Sequence, residues 1–211
     1  MKITYAHYSF DVDNLGPGLR HVLWVQGCCF RCDGCIASNY HDRKGTETEA
    51  SELAEEFFHK SSPHIEGITV SGGEPFLQAE GLLEFVRILK KQRDWGMICY
   101  TGFTMEELRE REKSDPAVGA LLGEMDMLID GRYIRELDKG DALRGSSNQR
   151  IWCLTDRYRD QIETVYGSKN RKMTVRFEDN KMVMIGVPGE DDRKRWENMK
   201  KYLQTVGGEL A

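Results

Sequence analysis

Gly67-Ile-Thr-Val-Ser-Gly-Gly-Glu-Pro75, followed by the segment from Gln78 to Lys91, decides the fold. A short apolar run bounded by glycine reads as a buried strand, and Gly72-Gly-Glu-Pro75 reads as a turn. Beyond the turn, Leu82, Phe85, Val86 and Leu89 recur at the spacing of one helix face. Strand, glycine turn and helix form a βα unit. Met97 to Thr101 repeats it, with Thr104 and Glu107 at capping-box spacing, and Met125 to Asp130 reads as another strand. Such alternation predicts an α/β fold, a parallel sheet covered by crossover helices. Functional loops of such sheets gather at the carboxyl ends of the strands.

Toward the N-terminus, Glu47 to Lys60 predicts a helix with Ala50, Leu53, Ala54, Phe57 and Phe58 on one stripe, and Thr46 with Glu49 as its capping box. Further upstream, Leu19-Arg-His-Val-Leu-Trp-Val25 is strand-like and leads into Cys28, Cys32 and Cys35, a C-x3-C-x2-C triplet. Thiolates are soft ligands suited to iron-sulfur clusters. A cubane normally takes four cysteines, so a compact group of three leaves one iron open. The competing reading is a closed zinc site with Cys29 or His41 as the fourth ligand. Cys29 adjoins Cys28, and both reaching one ion would be strained. The five histidines show no metal spacing of their own.

The triplet after a strand, with Ser71-Gly-Gly-Glu-Pro75 downstream, resembles the radical S-adenosylmethionine (SAM) superfamily. Asn14-Leu-Gly-Pro-Gly-Leu-Arg20, Tyr100-Thr-Gly-Phe-Thr104, Ile129-Asp-Gly-Arg-Tyr133 and Leu143-Arg-Gly-Ser-Ser-Asn-Gln-Arg150 narrow the likeness. They are similar to segments of the glycyl-radical-enzyme activases of the anaerobic ribonucleoside-triphosphate reductase type, in the same order. The resemblance implies a partial (β/α) barrel over residues 1–152, a 4Fe-4S cluster on Cys28, Cys32 and Cys35, and SAM as second cofactor. It implies reductive cleavage of SAM to a 5'-deoxyadenosyl radical, used to create a glycyl radical on a large partner enzyme, with reduced flavodoxin or ferredoxin as electron donor. A radical SAM enzyme acting on a small molecule or ribosomal peptide is the alternative, and a non-catalytic electron carrier stands behind both.

For SAM, the resemblance points to Gly72, Gly73, Glu74 and Pro75, whose missing Cβ atoms and carboxylate suit a closely held ammonium. Asp130 and Arg132 look like the pair near the ribose and the methionine carboxylate, and Thr101 and Gly102 lie on the same rim. A solvated strand end explains Asp130 and Arg132 nearly as well, and a turn or cap explains Thr101 and Gly102, whereas the distance of Gly72 to Pro75 after the cysteines favours function over an ordinary βα turn. Gly16, Pro17, Gly18 and Arg20, with Arg144 and Asn148, are expected as a partner or substrate loop, against the plainer reading of rigid turns and a basic loop on the sheet.

Of 211 residues, 39% are hydrophobic, which is globular in kind, and the formal net charge of -5 argues against a nucleic-acid partner. The N-terminus has no apolar export core and no stretch is long enough for a bilayer, which predicts a cytoplasmic protein without a membrane partner. In a reducing compartment Cys99 and Cys153, in apolar runs, read as core thiols. Residues 153–211 change character. Met173 to Phe177 and Met182 to Val187 alternate as a hairpin, and a helix with Trp196, Met199 and Leu203 follows, an extension appended to the core.

Overall fold

The structure, a computed structural model, describes residues 1–165, 171–178, 181–205 and 209–210. The chain opens with β1 (Lys2–Val12) and β2 (Leu19–Val25), and after the cysteine segment forms β3 (Thr46–Glu49) and α1 (Ala50–His59). Next come β4 (Ile65–Gly72), α2 (Ala79–Gln92), β5 (Gly96–Tyr100), α3 (Met105–Arg111), α4 (Pro116–Gly123) and β6 (Met127–Asp130). The remainder holds β7 (Arg150–Cys153), α5 (Arg159–Val165), β8 (Met173–Glu178), β9 (Lys181–Gly186), α6 (Glu190–Thr205) and β10 (Glu209–Leu210).

The main sheet has seven strands in the order β3-β1-β2-β4-β5-β6-β7. Its centre, β2, β4, β5 and β6, is parallel, β1 and β7 run antiparallel on either side of it, and β3 pairs antiparallel with β1 at one edge. The fold is therefore α/β with a parallel-rich sheet, and the repeated βα unit is its core. The two-residue period of a strand assigns the faces. Leu23, Val25, Met97, Cys99 and Leu128 point into the helix-covered core, with Leu53, Phe57, Leu82, Phe85 and Leu121. Val22, Ile98, Met127 and Ile129 point the other way. That second face is closed by Leu15 and Tyr158, and by Val183 and Ile185 of the β8–β9 hairpin.

Thr46–Glu49 does not cap α1 as expected. It is an edge strand, paired in register with Lys2–Tyr5, and the helix starts at Ala50 with no side-chain cap on Glu49. The Ala50 N–H instead donates to the Met1 carbonyl at 2.7 Å, a tertiary partner that four-residue spacing cannot reveal. Phe58 lies off the buried stripe and is exposed, one helical step round from the buried Phe57. The Thr104–Glu107 capping box is present as expected. Cys99 is buried, whereas Cys153, expected as a core thiol, is only half-buried at the sheet's edge.

Arg20, expected on a partner-facing loop, is fully buried. Its guanidinium donates to the hydroxyls of Thr69 (2.8 Å) and Tyr158 (2.8 Å) and to the carbonyls of Pro17 (3.0 Å), Ile68 (2.8 Å) and Gly96 (2.5 Å). It thus braces the Gly16–Gly18 turn against the starts of the parallel strands. Gly16 and Gly18, at φ +133° and +72°, take the left-handed backbone that lets the loop fold over the sheet.

The hairpin expected in the extension is present, with β8 and β9 antiparallel. Glu178 accepts from Ser9 Oγ at 2.5 Å and meets His7 at 2.8 Å, while Asn14 Nδ2 donates to the Ile185 carbonyl at 2.9 Å. Leu203, expected on the face of the last helix, has a side chain outside the described residues. Among the described residues no helix is long and apolar enough to cross a membrane.

Candidate active site

Four strand ends, those of β2, β4, β5 and β6, build the site. Past β2, Gly27 at φ +97° turns the chain into the cysteine loop, whose base is fixed by Gly27 N–H to the Tyr40 carbonyl (2.8 Å) and Cys28 N–H to the His41 carbonyl (3.0 Å). Past β4, Gly73 N–H donates to the Val25 carbonyl and Glu74 N–H to the Gly27 carbonyl, both at 2.8 Å. The glycine turn is thereby bonded directly to the root of the cysteine loop. Gly72 and Gly73 are needed for this approach. A Cβ would stand 2.4 Å from the Val25 backbone at Gly72 and 2.2 Å from the Gly27 oxygen at Gly73. Their missing side chains make room for the chain's own backbone, not only for a guest.

Glu74 is fully buried. It accepts from Thr101 Oγ1 (2.7 Å), the Gly102 N–H (2.7 Å) and the Phe76 N–H (3.0 Å), which locks the end of β5 to the glycine turn. Burial pushes its carboxyl up to about 7, against the pull of those three donors. Pro75 is buried behind it at the start of a short helical turn.

Cys28, Cys32 and Cys35 line one cavity of about 180 Å³ together with Gly72, Gly73, Glu74, Thr101, Gly102 and Arg132. Burial pushes the Cys32 and Cys35 thiols up, opposed by backbone hydrogen bonds at Tyr133 and Ala37. Arg132 holds Glu107 at 2.9 Å and lies over the Phe30 ring, 4.6 Å from its centroid. Asp130 has other neighbours. Its buried carboxylate accepts from the Met105 N–H at the start of α3 (2.7 Å) and from Arg150 Nη2 (2.6 Å), behind the cavity wall.

Arg144 and Asn148 lie outside the lining and hold residues that belong to it. Arg144 donates to the Gln149 carbonyl (3.0 Å) and Asp141 (2.9 Å), and Asn148 to the Arg132 carbonyl (2.9 Å). Sequence reasoning left out Trp24, Tyr133, Gln149, Val187 and Arg193, which also line the cavity, and named His41 only as a ligand of the competing zinc reading. Tyr133 and Gln149 sat inside recognised segments. Arg193 carries no such signal, because 158 positions separate it from Cys35.

The donor set suits a cluster held by soft thiolates with room for a polar guest. His41 lines the cavity with its Nε2 buried and without a hydrogen-bond partner, and Cys29 is exposed and outside the lining. Among the described residues no three His, Cys, Asp or Glu side chains converge as the donors of a single ion would. A cubane asks for less convergence, since each ligand binds a different iron.

A family described as 4Fe-4S single cluster domain matches residues 14–152. The anaerobic ribonucleoside-triphosphate reductase-activating protein of Enterobacteria phage T4 is 33% identical over 156 residues, covering 71% of this chain and 92% of the relative. The chain belongs to this family, as a radical SAM enzyme of the glycyl-radical activase type. The Vibrio cholerae protein of the same name is 32% identical over 158 residues, covering 72% of this chain and 97% of the relative. The pyruvate formate-lyase 1-activating enzyme of Escherichia coli is 28% identical over 217 residues, covering 98% of this chain and 78% of the relative. The cofactors of this radical SAM enzyme are accordingly a 4Fe-4S cluster and SAM.

Proposed function

We propose that the chain reductively cleaves SAM and uses the resulting radical to activate a large glycyl-radical enzyme. The observation that carries this reading is the direct bonding of the Gly72–Pro75 turn to the root of the cysteine loop, with three thiols and the turn facing one cavity. When bound, the cluster and SAM supply one-electron cleavage of the sulfonium–C5' bond, giving methionine and a 5'-deoxyadenosyl radical that takes a hydrogen atom from a glycine Cα.

In this reading Cys28, Cys32 and Cys35 hold the cluster, and the backbone of Gly72, Gly73 and Pro75 presents carbonyls to the methionine ammonium. Glu74 keeps that turn and the Thr101–Gly102 wall in register. Arg132 offers its guanidinium to a carboxylate at the cavity edge. Asp130 acts indirectly, by holding Arg150 and the start of α3. The sheet and its hairpin-covered inner face form the partial (β/α) barrel, with residues 1–152 as core and 153–211 as extension.

The reductase-activating relatives are matched almost end to end by about 70% of this chain, whereas the pyruvate formate-lyase activase match covers nearly all of it. The extension is therefore where partner choice is read. The half-buried Arg144 and the exposed Asn148 suit a partner-facing loop better than the buried Arg20. Reduced flavodoxin or ferredoxin supplies the electron, in the cytoplasm, where six free cysteines are at home.

The test is anaerobic reconstitution, reduction, addition of SAM and chromatography of 5'-deoxyadenosine, with Cys32→Ala and Cys29→Ala as controls. The reading expects release that Cys32→Ala abolishes and Cys29→Ala leaves intact. A cluster-loaded protein that releases none, with a glycyl-radical enzyme present, overturns it.

A further inference from the structure

Arg193 reaches the cysteine loop from the far end of the sequence. It lies in the first turn of α6, where the helix dipole disfavours a cation, so helix stability does not account for it. Its Nη1 donates to the carbonyl of Gly34, the residue before Cys35. The guanidinium also lies over the Tyr133 ring, 4.9 Å from the centroid, so its plane is fixed from two sides. Gly34, at φ +70°, holds a left-handed backbone that Arg135 flanks through Asp33 at 3.5 Å.

Two further observations give the contact a consequence. Arg193 and Cys35 stand together between the inner cavity of about 180 Å³ and an outer groove of about 960 Å³, which separates the cysteine loop from α6. The Arg193 charge is only loosely countered. Asp138 stands 4.0 Å from its Nη2 but is bound by Arg171 at 2.7 Å. A hydrogen-bond donor and an incompletely neutralised cation thus face the Cys35 edge of the loop.

Resting on the assignment of Cys28, Cys32 and Cys35 as cluster ligands, we propose that Arg193 is a positioning residue for the cluster. It holds the Cys32–Cys35 segment through the Gly34 carbonyl, and its positive charge raises the reduction potential by favouring the more negative, reduced state. The extension then forms part of the cluster's environment.

The experiment uses the full chain and its R193Q, R193K, D138N and K194A variants, reconstituted anaerobically. Bound iron and sulfide, the midpoint potential from an EPR-monitored titration, and thermal melting are measured for each. R193Q is expected to lose iron on gel filtration and to show a more negative midpoint at an unchanged melting temperature. R193K, which keeps the charge, should hold the wild-type midpoint, D138N should move it positive, and the exposed K194A should leave everything unchanged. Wild-type iron retention and midpoint in R193Q, or an R193K shift as large as that of R193Q, overturns the proposal. Should R193Q fail to fold, R193K decides, and iron loss or a midpoint shifted negative there overturns it. A wild-type chain without an iron-sulfur spectrum would instead sink the ligand assignment on which the proposal stands.

Discussion

The Cα of Gly73 faces the carbonyl of Gly27 so closely that a Cβ on it would stand 2.2 Å from the oxygen. Neither partner is a flexible side-chain tip, so the backbone must move if a side chain is added. Gly73→Ala is expected to cost about 1–3 kcal/mol by overpacking. It should also part the glycine turn from the cysteine loop, breaking the Glu74 N–H bond to Gly27. Iron retention should fall together with the urea midpoint, and a Gly73→Ala chain with wild-type iron content would show that the contact is not needed.

Glu74 gives the stability a pH slope of known sign. Its carboxyl sits at about 7 in the fold against an ordinary 4.5, so the native state binds this proton more tightly than the unfolded chain. Its contribution is full below about pH 4.5, declines as pH rises toward 7 and is flat above. Linkage bounds the change at about 3 kcal/mol. Glu74→Gln keeps one acceptor oxygen, for Thr101 and Phe76 or for Gly102 but not for both, and removes the slope. Urea unfolding at pH 5 and pH 8 should therefore show a larger pH loss in the wild type than in the variant, and parallel losses would refute the assignment.

Arg20 shows what the sequence could and could not convey. Its neighbourhood, Gly16-Pro-Gly18, announces a turn, and the following apolar run announces a strand. Nothing local tells that five acceptors from β4, β5, the turn and Tyr158 close around the guanidinium. Arg20→Met should cost about 3 kcal/mol or more, because buried acceptors lose their donor. Denaturant midpoints measure the loss. Partner affinity per folded molecule should stay unchanged, since a fully buried side chain has no surface to offer.

The same division runs through the fold and the site. The βα units were legible because Leu82, Phe85, Val86 and Leu89 obey a helical period and glycine marks the strand ends. Cys28, Cys32, Cys35 and the Gly72–Pro75 turn were legible as short motifs, and the structure brings them to one cavity. β1 was not foreseen, because its alternating aromatic and polar residues, Tyr5 to Phe10, carry no apolar run and gain strand character by pairing with β2 and β3. Asp130 was expected near SAM because Asp130 and Arg132 together resemble a family pair at a strand end. The two-residue alternation of the strand, which a motif does not encode, turns its carboxylate toward Met105 and Arg150 instead.

Ile185 tests whether the extension is separable from the core. It is 1% exposed and packs with Val12, Leu15 and Val22, so the hairpin supplies apolar cover that β1 and β2 otherwise lack. Removing it to alanine should cost about 2–5 kcal/mol. If residues 153–211 were an independent appendage, only their own structure would loosen, and unfolding would split into two steps. The shared cluster, the Asn14 bond to the Ile185 carbonyl and the Tyr158 bond to Arg20 predict a single transition at lower denaturant. Unfolding followed by both far-ultraviolet circular dichroism and Trp fluorescence distinguishes these cases. Four tryptophans report on the fold, with Trp24 and Trp95 in the core region and Trp196 on α6. Two non-coincident curves would mean that the core stands without its tail.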